Sequence, residues 1–285
     1  MESELWQLVY HTAVELGKEF SFHRVQYSDR VIVLTYLWAA LHDRPVSWAC
    51  CTAHWPGHER WGSLPSPSTM SRRLRTAAAW DFFAALHRRL SPRLGPQWCR
   101  WIDARPLPIG GSSQDGEARV GRAAGIMAKG YKLHAVYRAD GTVEAWQVWA
   151  MNVNEKTAAP ELLPQLAGPG YLVGDNQYDS NPLFELAAAH GQQLVSPRRA
   201  ETALGHQPHS VYRRRSDELL HGHFGRALLK QRFDIDRLFG QMSNFGGGLS
   251  PLPNWVRTMR RVRLWVQAKL IIHAAWRLQK QRLKA

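Results

Sequence analysis

Between residues 99 and 196 the hydrophobic periodicity changes in a fixed order that few folds accept. Three β-favouring runs come first, CRWIDARPLPI, YKLHAVYR and VEAWQVWAM, separated by glycine-rich or Asp-Gly punctuation. Asp140-Gly141 predicts a hairpin turn, so the second and third strands should be antiparallel neighbours. Helix KTAAPELLPQL, strand GYLVGD, helix NPLFELAAAHG and strand QQLVSP follow. Such alternation predicts parallel pairing through crossover helices. The linker GGSSQDGEARVGRAAG, after the first run, is expected to be mobile.

The flanks read as helical. Apolar residues recur at helical spacing in ELWQLVYHTAVELGKEF and in SDRVIVLTYLWAALHD, the latter with Ser28 as N-cap. RPVSWACCTAHW, opened by Pro45, and SPSTMSRRLRT then predict two short helices around a turn. Two further helices are expected at roughly 224 to 242 and, past the breaker GGGLSPLP, at 254 to 283. The resulting organisation is a helical domain over 1–95, an α/β core over 96–245 and a basic C-terminal helix over 246–285 packing on that core.

Composition narrows the partners. The 285 residues carry 37 Lys plus Arg against 23 Asp plus Glu, a formal charge of +14. That excess, mostly arginine, favours a polyanion. No apolar run approaches the roughly 18 to 20 uncharged residues that spanning a bilayer requires, so no membrane partner is expected. The start, MESELWQLVY, lacks the pattern of a secretory signal. Cys50, Cys51 and Cys99 are too few and too badly spaced for a disulfide framework. These features predict a protein of the reducing cytoplasm.

Three strands with a hairpin, then helix, strand, helix, strand and closing helices, is the order of an RNase H-like fold, an analogy that by itself names no function. Two aspartates stand out within it. Asp103 sits inside an apolar strand, and Asp175 ends one, where ligands gather in open α/β sheets. If those strands pair side by side, the two carboxylates repel unless one is protonated or a cation lies between them. Hard divalent ions accept such oxygen ligands. A third acid is offered by ALLKQRFDIDRLFGQM, where Asp234 and Asp236 point in different directions if the segment is helical.

Here the chain resembles the DDE-type insertion-sequence transposases. Their third acid lies in a helical pattern R-x-x-[IV]-E-x-x-F, which Arg232, Ile235 and Phe239 match with Asp236 in the glutamate position. WIDARPLPI resembles the first strand of that family, GYKLHAVYRADGTVEAWQVWAMNVNEKTAAPELL the second and third strands and the next helix, and GDNQYDSNPLFELAAAHG the region of the second aspartate. The likeness spans residues 100 to 242, with 72 and 61 residues between successive acids. It implies an α/β RNase H-like catalytic core, joined to an all-α helix-turn-helix-like N-terminal domain and C-terminal helices.

For the site, the resemblance implies Asp103, Asp175 and Asp236 as ligands of two Mg²⁺ ions, with Mn²⁺ able to substitute. Arg232, one helical turn before Asp236, would orient that carboxylate or clamp a phosphate. It also implies cleavage and strand transfer at the terminal inverted repeats of the element and in target DNA, by a homodimer on double-stranded DNA in the nucleoid of a bacterium. There are departures. Asp236 is one methylene shorter than glutamate, and Leu229 and Ser243 stand where some branches carry a tyrosine and a lysine. Two alternatives follow: a transposase-derived DNA-binding regulator that no longer cleaves, and a nucleic-acid hydrolase without strand transfer.

Ser68, Thr69, Ser71, Arg72, Arg73 and Arg75 fall at or near the start of the expected recognition helix, where short polar and arginine side chains suit phosphates and base edges. In the last helix Met259, Val262, Val266, Leu270 and Ala274 form an apolar stripe, leaving the opposite basic face to solvent or to DNA phosphates. His134 reads as a hydrogen-bonded strand histidine. Cys51, His54 and His58 lie at ligand-like intervals but lack an evident fourth zinc ligand.

Overall fold

The computed structural model describes residues 2–20, 25–57, 62–91, 97–123, 125–199, 209–231, 239–245, 247–249 and 251–282. They fall into two compact units. One takes residues 1–92, 242–255 and 264–285, the other 93–241 and 256–263.

The first unit is helical: α1 (Glu2–Gly17), α2 (Asp29–Leu41), α3 (Val46–Ala49), α4 (Pro67–Arg73), α5 (Ala77–Leu90) and most of the last helix, α10 (Met259–Arg282). The Ser28 hydroxyl caps α2 by accepting from the Val31 N–H, and Pro45 precedes α3, both as expected. Residues 264–275 of α10 are buried on every side. That corrects the expectation of an apolar stripe backed by a solvent-facing basic face. Its lysine there is accommodated inside: the Lys269 ammonium donates to the Ala40 carbonyl (2.6 Å), the Asp43 carboxylate (2.7 Å) and the Gly247 carbonyl (2.9 Å). Exposed bases of α10 remain only near its ends, at Arg260, Arg261, Lys280 and Arg282.

The second unit is a mixed α/β structure around a six-stranded sheet: β1 (Cys99–Pro108), β2 (Arg119–Ala123), β3 (Ile126–Arg138), β4 (Val143–Ala150), β5 (Gly170–Val173) and β6 (Gln192–Val195). The order is β2-β3-β1-β5-β6, with β4 on β3. Pairing of β1 with β3 and of β3 with β4 is antiparallel, and β1-β5-β6 run parallel. The β3–β4 hairpin forms where Asp140-Gly141 predicts it, with Gly141 at φ 77° and the Asp140 carboxylate accepting from the Thr142 N–H at 2.8 Å. Helices α6 (Glu155–Leu162) and α7 (Asn181–Ala189) bury one face of the sheet through Ile102, Val136, Leu172, Phe184 and Leu194.

Two elements were not legible beforehand. The linker expected to be mobile contains β2, and its approach is pinned by Asp115, whose carboxylate accepts from the Tyr131 hydroxyl (2.6 Å) and from the N–H groups of Glu117 (3.1 Å) and Thr258 (2.8 Å). Burial raises the Asp115 pKa, yet these donors outweigh it and hold the carboxyl below its ordinary range. The second is α8 (Val211–His221), which is followed by α9 (His223–Lys230). Its sequence VYRRRSDELLH is mostly polar because the face turned to the core is carried by Arg213 and Ser216.

Candidate active site

Asp103 lies midway along β1 opposite Ala135, half-buried, with its carboxylate accepting from the Ala104 N–H at 2.8 Å. Asp175 lies two residues past the end of β5. The turn that brings it there is tight: a Cβ on Gly174 would come within 2.7 Å of the Tyr178 ring and 3.1 Å of Ile102. The Asp175 carboxylate caps the short 3₁₀ turn Asn176–Tyr178 by accepting from the Gln177 N–H at 2.9 Å. Its carbonyl accepts the Ser196 hydroxyl at 2.6 Å, tying the end of β5 to that of β6.

The ladder pairs Cys99 with Tyr171 and Trp101 with Val173, an offset of 72 residues that also separates Asp103 from Asp175. Continued by two residues, this register would set Asp103 against Asp175, which already lies in the turn past the end of β5. By the two-residue period of strand side chains they share the face of Trp101 and Val173.

That face is also where the chain returns after residue 238. Arg105, one period beyond Asp103, donates to the Phe239 carbonyl at 2.5 Å with its guanidinium 5.8 Å from the Phe239 ring centroid. Tyr137, the ladder partner of Trp101, meets Phe239 edge-on at 5.1 Å. Burial pushes the Tyr137 hydroxyl pKa well above its ordinary value; the Arg105 charge opposes this and the Asp103 charge adds to it. Burial likewise lowers the Arg105 pKa, against the pull of Tyr137. Asp103, Arg105 and Tyr137 thus form one electrostatic neighbourhood, with Phe239 clamped beside it. Of these, Arg105 and Tyr137 escaped the sequence reading; strand alternation from Asp103 would have put Arg105 on the same face.

Arg232, Asp234 and Asp236 lie outside the described residues. Among the described residues no three His, Cys, Asp or Glu side chains group as a metal site. The donors that are described, the carboxylates of Asp103 and Asp175, have the hardness that suits a small divalent cation.

His134 departs from expectation. It pairs with Ala104 in the ladder, on the face opposite Asp103, and neither ring nitrogen has a hydrogen-bond partner among the described residues. Its ladder partners are Ala104 on β1 and Gln147 on β4. Burial lowers its pKa to about 4, with Glu155 opposing and Lys132 adding.

In the helical unit, Ser66 rather than Ser68 caps α4, accepting from the Thr69 N–H at 3.2 Å. Ser68, Ser71, Arg72 and Arg75 are exposed, and Thr69 is half-buried. Arg73 turns inward, donating to the Asp29 carboxylate (2.9 Å) and the Tyr27 carbonyl (2.7 Å). His54 stacks on Trp48 at 4.6 Å with Nδ1 2.8 Å from the Trp48 carbonyl, Cys51 is exposed, and His58 lies outside the described residues.

Comparison with known proteins gives two findings. The family model of the transposase DDE domain matches residues 94–272, well over half of the chain. Among solved structures, the chain resembles a cryo-EM structure of the piggyBac transposase synaptic complex with hairpin DNA, at 9% identity and a TM-score of 0.36. The likeness covers 70% of this chain and 49% of that one, so this chain spans about half the length of that relative. No curated protein matches. No helix among the described residues is long and apolar enough to cross a membrane.

Proposed function

We propose that this chain, which belongs to the transposase DDE domain family, cleaves and rejoins DNA at the ends of its own element, using divalent cations held by Asp103, Asp175 and Asp236. The observation that carries the reading is the parallel pairing of β1 with β5 at an offset of 72 residues, the same number that separates Asp103 from Asp175. The sheet order, with three antiparallel strands β4-β3-β1 extended by parallel β5 and β6, supports an RNase H-like core. The formal charge of +14 supports a DNA partner.

A phosphodiester resists nucleophiles because it is negatively charged, so its cleavage needs charge neutralisation and in-line positioning. Bound Mg²⁺ or Mn²⁺ would supply that neutralisation and activate the attacking oxygen. The protein's part is to hold three carboxylates in a fixed frame. Asp103 is fixed by its strand, Asp175 by the cap on Gln177 and the tie from Ser196. Phe239, three residues after Asp236, is anchored on Arg105 and Tyr137, which supports the return of the third acid to this face. Arg232 would then face the scissile phosphate or steady Asp236. Exposed Ser68, Ser71, Arg72 and Arg75 on α4, with Thr69, form the surface proposed to read the DNA ends as part of a helix-turn-helix, with Arg73 as its brace to α2. Two copies acting on paired ends complete the proposal.

The test uses purified full-length protein, labelled duplexes carrying the DNA that flanks its own reading frame, and Mg²⁺ or Mn²⁺ against a chelator. Metal-dependent cleavage followed by joining, lost in Asp175→Asn while DNA affinity is kept or raised, is the expected result. Cleavage without joining would make the protein a hydrolase. Binding with no cleavage under either metal would make it a DNA-binding regulator.

A further inference from the structure

The parallel part of the sheet ends in a second charged constellation, four residues beyond Asp175. Asp179 is buried, and its Oδ2 accepts from Arg213 Nη2 of α8 at 2.7 Å and from the Arg199 N–H at 2.9 Å. Both Asp179 and Arg213 are only 1% exposed. The loop after β6 is therefore tied twice to the loop after β5: Ser196 to the Asp175 carbonyl, and the Arg199 backbone to the Asp179 carboxylate. With its backbone so fixed, the Arg199 side chain is exposed at the same edge as Asp175. Lys156, second residue of α6, joins it there, because β4 runs parallel to β1 and delivers the start of α6 to that edge.

Three acids near this edge are committed to other cations. Asp179 serves Arg213, Glu155 pairs with Lys132 at 3.0 Å, and Asp217 pairs with Arg198 at 2.8 Å. Among the described residues neither the Arg199 guanidinium nor the Lys156 ammonium is in an ion pair. Burial, with Arg199 and then Arg213 working in the same direction and Asp179 opposing, lowers the Lys156 pKa, as expected of cations sharing one neighbourhood. Cations that share one neighbourhood repel each other, and an anion placed between them relieves that repulsion.

We infer that Arg199 and Lys156 form a phosphate clamp beside Asp175, gripping the DNA backbone next to the bond that is cut. Arg199 presents a planar fork and Lys156 a point charge, the two ways proteins hold phosphates. The Asp179–Arg213 pair is the buried post that fixes the clamp's loop. This inference rests on the transposase reading for its substrate, and it adds which groups hold the strand while the carboxylates act.

The experiment measures DNA affinity against salt concentration, in chelator, for the full chain and for Arg199→Gln, Lys156→Gln and the double variant, with cleavage rates in Mg²⁺ alongside. Each lost phosphate contact should flatten the slope of log affinity on log salt by about 0.9, so the double variant should lose nearly twice that. Arg199→Lys and Lys156→Arg should keep the slope. Arg198→Gln, whose partner is Asp217, should leave it unchanged, and thermal melts identify any variant that has lost its fold. A wild-type chain that binds and cleaves, with an unaltered slope in a folded double variant, overturns the clamp and leaves the transposase reading intact. A flattened slope in a protein that never cleaves supports the clamp and removes strand cleavage. Absence of DNA binding by the wild type overturns both.

Discussion

Arg100 and Asp103 sit three residues apart on β1, and the chain treats their charges in opposite ways. Arg100 faces the helix-covered side at the start of the strand, 1% exposed, against Glu144, 3% exposed, at 2.8 Å. Its five N–H groups all have acceptors: both Glu144 oxygens, the carbonyls of Gln97 and Ala167, and the Gln192 side chain. Glu144 is in turn held by the Ala167 N–H at 2.9 Å. Midway along the strand Asp103 is half-buried on the opposite face, where Arg105 is turned toward Phe239. The first charge is closed inside the protein, while the second lies on the face proposed above to hold divalent cations. A buried charge that is fully met is architecture; like charges gathered at a sheet edge point to a ligand.

The sharpest way to break this contrast is to neutralise one group on each side of it. Asp175→Asn should reduce metal-dependent cleavage on the order of a thousandfold or more while leaving the urea midpoint unchanged or raised; millimolar Mn²⁺ should raise the melting temperature of the parent and not of this variant. Glu144→Ala should do the reverse, costing about 3 to 5 kcal/mol of stability in chemical denaturation because Arg100 is left buried and unpaired, with cleavage per folded molecule near normal. Equal damage to stability from both variants would end the distinction.

Acid provides a smaller test. His134 and His273 are buried and neutral, their pKa values lowered to about 4 and about 3, in each case chiefly by burial. The unfolded chain takes up their protons first, so stability should be intact above about pH 6.5 and fall as pH drops toward 4. His134 alone should account for up to about 3 kcal/mol across that window. Urea titrations at pH 7 and pH 4.5 should differ less for His134→Leu than for the parent, and an undiminished difference would remove His134 from the account. The smallest effect is expected on α4, where the same contrast recurs between neighbours. Arg72→Ala should weaken DNA binding several-fold and flatten its salt slope by about one contact without moving the melting temperature. Arg73→Ala should cost about 1 kcal/mol of stability through its half-buried pair with Asp29, and a purely DNA-side effect would refute that brace.

Much of the core was legible because its signals are local. Asp140-Gly141 names its own turn, and the alternation of β5, α7 and β6 is written in periodicity that any solvent would reveal. Asp175 could be singled out because an apolar run that stops on a carboxylate is unusual. The elements that escaped, β2 and α8, are held by partners far away in the chain: Tyr131 and Thr258 on Asp115 in one case, Asp179 on Arg213 in the other. The same holds for α10, which a basic sequence and an apolar stripe present as half-exposed. Its middle is buried because Asp43 and two carbonyls, more than two hundred residues away in one direction and about twenty in the other, receive Lys269.

The residues by themselves thus determined the order of β1, β3, β4, α6, β5, α7 and β6, the basic balance of the chain and the identity of the acids worth watching, since each depends on a residue and its close neighbours. Only the folded chain decided the offset at which β1 pairs with β5, the inward turn of Arg100, Arg73 and Lys269, and that Arg199 and Lys156 come to one edge. Those outcomes depend on strand register and on long-range hydrogen bonds, and the strength of a charge in a protein is set by what surrounds it in space.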